Sequence, residues 1–274
     1  MPGFGWYIVA MMVGLFVVWA VELYRRKTHT VKSQSRGVSN EWVRIMEENV
    51  PIYRRMPVDL QEQFQTLTLR FIEHKKFVPC GDLEEISDEM KVTIAGNAVL
   101  LVMNRPLRYP FHHVYSVLVY PSAFFNSREE ESELLNGEAW PTGSVVVAWD
   151  QAKKTARDLR DGRNLVIHEF AHQLDMEDGV ADGAPILDSH LHRTWARVLS
   201  AEFQKLQEAA EQGRRTVIDQ YGADDPSEFF AVATEAFFER GDRLLQKNPD
   251  LYEQLRLYYR LDPVRWMADP RSRR

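Results

Sequence analysis

The stretch from Asn164 to Asp175 reads Asn-Leu-Val-Ile-His-Glu-Phe-Ala-His-Gln-Leu-Asp, and it constrains the chain more than any other. Leu165, Val166, Ile167, Phe170, Ala171 and Leu174 make it apolar except at His168, Glu169, His172 and Gln173. On a helix, residues four apart lie on one face, one turn above the other. His168 and His172 can then aim two imidazoles at one ion, with Glu169 beside them. This is the pattern by which a helix holds Zn2+ next to a carboxylate that takes a proton from water. The competing reading is a buried helix whose histidines hydrogen-bond to backbone. Two histidines and a glutamate are a costly way to fill an apolar interior. Histidines are also few, eight in the chain, so the metal reading is preferred.

A zinc ion that does chemistry has a third protein ligand and leaves its fourth position to water. Residues 221–239 offer that ligand. Asp225 as N-cap and Pro226 at the first helical position start a helix. Its body carries Phe229, Phe230, Val232, Phe237 and Phe238, interrupted by Glu228 and Glu235. These two glutamates are seven apart and so share a face. Glu228 is the candidate third ligand. It can also simply sit at the positive N-terminal end of its helix, and the two roles are compatible. Glu235 and Asp175, the latter two turns beyond His168, are candidates to orient a ligating histidine. Asp175 can equally face solvent or cap its own helix.

At 274 residues and 45% hydrophobic content, the chain has room for one large domain with appendages. At a formal net charge of -6, nothing in the sequence suggests a nucleic-acid surface, which needs concentrated Lys and Arg. Cys80 is the single cysteine, so no intrachain disulfide can form, and a small buried side chain is its simplest reading.

Residues 4–21 form an apolar run without a charge, followed by Arg25-Arg26-Lys27. At about 1.5 Å per residue the run just spans a bilayer core of about 30 Å. Trp6, Tyr7, Trp19 and Tyr24 sit near its ends, where aromatic belts occur. A cleavable signal peptide would carry its basic residues first. The charge asymmetry predicts a single-pass anchor in the inner membrane, with the lipid bilayer as a partner and the remainder of the chain cytoplasmic. A buried N-terminal helix is the alternative. The expected organisation is an anchor over residues 1–26, a polar linker over 27–40, a metallopeptidase domain over 41–265 and a basic tail over 266–274.

Within the domain, periodicity predicts helices over residues 41–50 and 59–76, the latter with an Asp59–Glu62 capping box. Phe77-Val78-Pro79 breaks the pattern. Ser87 is the predicted N-cap of a helix over 88–103. Residues 114–120 and 143–149 read as strands. The acidic stretch 127–137 reads as a loop. Residues 190–212 read as a helix with His190 and His192 on its surface, and 251–261 as a terminal amphipathic run. Strand 143–149 either pairs with a substrate backbone or is purely structural. The fold class is α+β: a mostly helical, zincin-like domain with a small sheet, preceded by one transmembrane helix.

Five stretches together are similar to the MtfA-like zinc metallopeptidases, bacterial proteins whose catalytic core resembles the protease domain of anthrax lethal factor. They are Phe77-Val-Pro, Ser87-Asp-Glu-Met-Lys91, Val119-Tyr-Pro121, the run from His168 to Asp175, and Glu228-Phe-Phe-Ala-Val232. The likeness covers most of residues 41–263. It implies one Zn2+ on His168, His172 and Glu228, with Glu169 as base. It also implies that Tyr221, seven residues before Glu228, faces the metal. It further implies a peptide or protein substrate, aminopeptidase-type activity and a transcriptional regulator as partner. The rival from another class is a membrane-tethered, zinc-containing binding module without turnover. Glu169 argues against that rival, because a structural zinc site needs no base and closes with a fourth protein ligand.

Overall fold

The computed structural model describes residues 37–105, 110–125, 134–140, 142–158 and 161–268. The chain falls into two units, Met1–Ser39 and Asn40–Arg274, and the elements below belong to the second. The helices are α1 (Asn40–Asn49), α2 (Val58–His74), α3 (Asp88–Leu100), α4 (Trp149–Arg157), α5 (Leu165–Asp175), α6 (His192–Glu211), α7 (Pro226–Glu239), α8 (Gly241–Lys247), α9 (Pro249–Tyr259) and α10 (Pro263–Ala268). The strands are β1 (Lys76–Pro79), β2 (Ser116–Tyr120), β3 (Phe124–Phe125), β4 (Leu134–Leu135), β5 (Gly137–Trp140) and β6 (Ser144–Ala148). The described part is mostly helical with a small mixed sheet, which fits an α+β metallopeptidase domain.

The sheet runs β1-β2-β6-β5. The first three strands are parallel, and β5 lies antiparallel to β6. Val145 to Ala148 are all buried, as a continuous apolar run in a central strand should be. This changes the assignment of the exposed strand. Strand β6 is covered on both edges, so among the described strands the sheet edges are β1 and β5, and β5 is the one that lies over Glu169. That strand begins at Gly137, the last residue of the stretch expected to be a loop. The same stretch also contains β4, paired with β3. Phe77-Val78-Pro79 does end the helical pattern, and it does so by becoming β1.

Caps decide several helix starts. Ser87 Oγ accepts from Met90 N at 3.2 Å and begins α3. Helix α2 begins at Val58 after Pro57, without a side-chain cap bond. Asp59 therefore lies inside the first turn, where its charge meets the positive helix end, and is not the N-cap. Val92 to Leu100 of α3 are all buried. Gly96 is required there: a Cβ would come within 2.9 Å of Val50 Cγ2 and 3.2 Å of Phe64 Cζ. Cys80 is half-buried rather than buried, because it follows the edge strand β1. His190 and His192 are exposed.

The single-pass, inner-membrane placement is corrected. No helix among the described residues is long and apolar enough to cross a membrane. Helix α6 has the length, 20 residues, but Arg193, Arg197, Glu202, Lys205, Glu208 and Glu211 give it a polar face. Residues 4–21, on which the expectation rested, lie outside the described residues, as do the basic tail from 269 and most of the linker.

Candidate metal centre

Helix α5 starts where Asn164 Oδ1 accepts from Ile167 N at 3.1 Å. Its rotation is set by what it buries. Val166, Ile167, Phe170, Ala171 and Leu174 are all in the core. The Phe170 ring lies 5.6 Å from that of Phe71 and 4.8 Å from that of Phe111. With that face anchored, His168 and His172 turn towards α7. Helix α7 starts where Asp225 Oδ1 accepts from Ser227 N at 2.7 Å and Glu228 N at 3.0 Å. Phe229 packs on Phe203 and Phe230 on Trp195, with centroids 5.7 and 5.9 Å apart. Glu228 projects from the first turn of α7 towards the two histidines.

The three side chains converge. His168 Nε2 lies 3.1 Å from His172 Nε2 and 3.1 Å from Glu228 Oε2. His172 Nε2 lies 3.5 Å from Glu228 Oε1. Zinc bonds of about 2.0–2.1 Å at tetrahedral angles place neighbouring ligand atoms about 3.3 Å apart. The far nitrogens are engaged elsewhere. His168 Nδ1 is 2.8 Å from Glu235 Oε1, and His172 Nδ1 is 3.0 Å from Ser227 Oγ. The Glu235 carboxylate accepts, which puts the His168 ring proton on Nδ1, and Ser227 Oγ can accept in the same way from His172; both Nε2 lone pairs then face inward. Glu228 Oε2 is buried without a hydrogen-bond donor. Two nitrogen lone pairs and a carboxylate aimed at one point repel each other unless a cation lies between them. The donor set fits Zn2+, with a fourth position left open.

Electrostatics follow the same logic. Burial pulls the His168 imidazole down, but Glu228 and Glu235 outweigh it and hold it well above its ordinary value. A proton and a metal ion therefore compete for the same nitrogen. Burial pushes Glu228 up, but the neighbouring His168 and His172 outweigh it and hold the carboxyl at about 2. Glu169 is 5% exposed, and burial raises it to about 7 against the pull of the two histidines. Burial and the charge of Glu228 push the Tyr221 hydroxyl up to about 12, so it keeps its proton at neutral pH. The Tyr221 ring lies 6.0 Å from that of His168.

The supporting residues reach further than sequence reasoning did. Glu235 Oε2 accepts from the backbone N–H of Asn164, the residue that caps α5. Asn164 Nδ2 donates at 3.0 Å both to Asn97 Oδ1 on α3 and to Glu239 Oε1. Asp175 does not touch His172. Its Oδ2 accepts from Gly183 N at 2.9 Å and Oδ1 is buried without a close partner. Burial pushes Asp175 up, and the Gly183 N–H and the Ser227 hydroxyl pull it down. Ser227, Asn164 and Gly137 carried no signal as site residues. None of the three belongs to a periodic pattern. Gly137 begins the edge strand directly over the base: a Cβ there would strike the Glu169 carboxylate, 2.9 Å from Cγ. The cleft over these residues, about 470 Å³, is lined by Gly137, Arg163, His168, Glu169, Tyr221 and Glu235 among others.

A second group also places His and Glu ligand atoms within 4.8 Å of one another: His112, His113 and Glu177. It lies around the 3-10 turn Met176–Asp178 that ends α5.

Comparison with known proteins points to a metallopeptidase family. Residues 22–260 match the family described as Glucose-regulated metallo-peptidase M90. The uncharacterized protein slr2042 of Synechocystis sp. is 34% identical over 240 residues, covering 84% of this chain and 86% of that protein. Mlc titration factor A of Escherichia fergusonii is 30% identical over 233 residues, covering 78% and 84%. Mlc titration factor A of Pectobacterium atrosepticum is 28% identical over 228 residues, covering 79% and 84%. A metallopeptidase family implies a bound metal, typically zinc, and His168, His172 and Glu228 are a group able to hold one. With the match running through both helices that carry this group, the chain belongs to the glucose-regulated metallopeptidase family M90.

Proposed function

We propose that this protein is a zinc-dependent peptidase in which His168, His172 and Glu228 hold the metal and Glu169 is the general base. The observation that carries the reading is the convergence of two outward-anchored imidazoles and an orphaned carboxylate oxygen beside a buried glutamate. Bound zinc supplies a Lewis acid that brings the pKa of water from 15.7 towards about 7. Glu169 accepts the proton of the attacking water at a carboxylate oxygen and delivers it to the departing amine. A group raised to about 7 can do both near neutral pH. The Tyr221 hydroxyl donates a hydrogen bond to the oxyanion, a contribution of about 3–4 kcal/mol where such a donor is well placed. Glu235 and Ser227 hold the imidazoles in the binding tautomer. Strand β5, at an edge of the sheet, pairs with the substrate backbone, and Gly137 lets that strand lie directly over Glu169.

Aminopeptidase-type cleavage is the form we assign, on family resemblance. Digestion of a peptide library by the purified chain, with and without chelator, tests the reading. Cleavage that stops with chelator and returns with zinc supports it, and unchanged cleavage in chelator overturns it. Loss of N-terminal residues one at a time supports the aminopeptidase form, and internal cuts refute it. From the name of the relatives we also extend to this chain a regulator of the Mlc kind as partner. Co-purification with such a regulator tests that extension, and its failure leaves the peptidase reading intact.

A further inference from the structure

A second cleft, of about 700 Å³, shares none of its lining with the cleft over His168. Its walls come from α6, from the segment before the 3-10 turn Gln220–Ala223, and from α8 with the residues flanking it. Lys205, Arg215, Arg240, Arg243 and Lys247 line it, against one carboxylate, Glu202. Glu202 is already engaged. It accepts from Lys205 Nζ at 2.6 Å and from Asn248 Nδ2 at 2.5 Å. Among the described residues, Arg215, Arg240, Arg243 and Lys247 have no carboxylate at ion-pair distance. Other arginines of the domain do: Arg105 meets Glu177, Arg163 meets Asp219 and Arg256 meets Glu253.

Arg240 is the most telling of the four. Its Nη1 makes only long bonds, to Val217 O at 3.3 Å and Asp161 O at 3.4 Å. Its Nε is buried with no acceptor. Gly162 leaves room for its stem, since a Cβ there would strike Arg240 Cδ. A guanidinium kept half-buried without a counter-charge is costly, and a bound anion removes that cost. In a chain of net charge -6, four uncompensated cations around one concavity are a local inversion of sign.

We propose that this cleft binds a small phosphorylated molecule, with its phosphoryl oxygens on Arg240, Arg243 and Arg215. Arginine forks bind phosphate oxygens in pairs, so three of them brought together from two separate segments, Arg215 on one and Arg240 with Arg243 on the other, define a site and not merely a charged surface. The volume lies within the range of about 300–1,000 Å³ typical of small-ligand sites. Lys247 adds a further positive charge at the wall. The site stands whether or not the chain is a peptidase, because it uses none of the metal-facing residues.

The test is calorimetric titration of the full chain with inorganic pyrophosphate, before and after metal removal with EDTA. The expected result is saturable one-to-one binding that survives EDTA, weakens with salt, and weakens about tenfold with each of Arg215→Glu and Arg243→Glu. Both residues are exposed, so the variants should keep the parental melting temperature. If one does not, Arg243→Gln makes the same measurement with less disturbance. The absence of saturable binding overturns the proposal. So does binding that vanishes with the metal, since the anion would then sit at the metal centre, and so does unchanged affinity in both variants. Binding of a hexaglutamate peptide with none of pyrophosphate would also overturn it, in favour of a protein-docking surface.

Discussion

Two histidine pairs, each with a glutamate, one on α5 facing α7 and the other around the 3-10 turn that follows α5, are prepared very differently. Around His168, His172 and Glu228, each imidazole is held from behind, by Glu235 and Ser227, and the lone pairs face one point. Around His112, His113 and Glu177, the glutamate is already engaged, with Arg105 Nη2 at 3.1 Å from Oε2. His112 is exposed and sits 3.8 Å from Glu177 Oε1. Both ring nitrogens of His113 are buried without a hydrogen-bond partner. The two groups have the same composition. What separates them is the orientation of each ligand by a second residue, and the nearby positive charge of Arg105, which opposes a cation.

The largest effect expected from this contrast is on metal content. His168→Ala or Glu228→Ala should remove bound zinc from the purified protein, while His112→Ala and His113→Ala should leave it at the parental level. Elemental analysis decides it, and zinc lost with His113 but kept without His168 would reverse the two assignments. Next comes Glu169→Gln, which should retain zinc and lower peptide hydrolysis by about 10²–10⁴-fold, the range for a general base. Parental turnover in that variant would sink the base assignment.

Smaller is the effect of the residues behind the imidazoles. Glu235→Gln should weaken zinc affinity by about 10–100-fold and Ser227→Ala by less, measured by competition with a chelator. An unchanged affinity would mean that orientation from behind is not what separates the two groups.

The mildest test is pH. The raised His168 pKa means that below it a proton blocks Nε2, so zinc affinity at this group should rise with pH until His168 is deprotonated. His113 is lowered, chiefly by burial, so its ring is unprotonated at neutral pH already. Proton competition alone would therefore favour the wrong group. Zinc titrations of the two sets of variants at pH 6 and pH 8 should show the rise only where His168, His172 and Glu228 are intact. Glu169, raised to about 7, is protonated and inactive as a base below that value, so hydrolysis should fall on the acidic side. Nearby zinc shifts that limb to lower pH, because positive charge favours the carboxylate. A limb lying above pH 7 would point to another base.

The helical character of the domain, the caps at Ser87 and Asp225 and the positions of β2 and β6 follow from patterns within ten residues. The exposed edge strand does not. Residues 143–149 are apolar because they are central, and the edge passes to Gly137–Trp140, a short strand with no alternation to mark it. Ser227 and Gly137 matter through contacts with residues 55 and 32 positions away, His172 and Glu169, and no local pattern encodes such distances.

The sequence by itself determined that His168 and His172 share a helix face and that Glu228 and Glu235 share another, because helical spacing is a local property of the backbone. Only the tertiary structure decided that those faces meet. It is the burial of Phe170 against Phe71 and Phe111, and of Phe229 and Phe230 against α6, that turns the two helices towards each other. Apolar packing sets that rotation, and the polar residues then occupy the one point where a cation balances their charge.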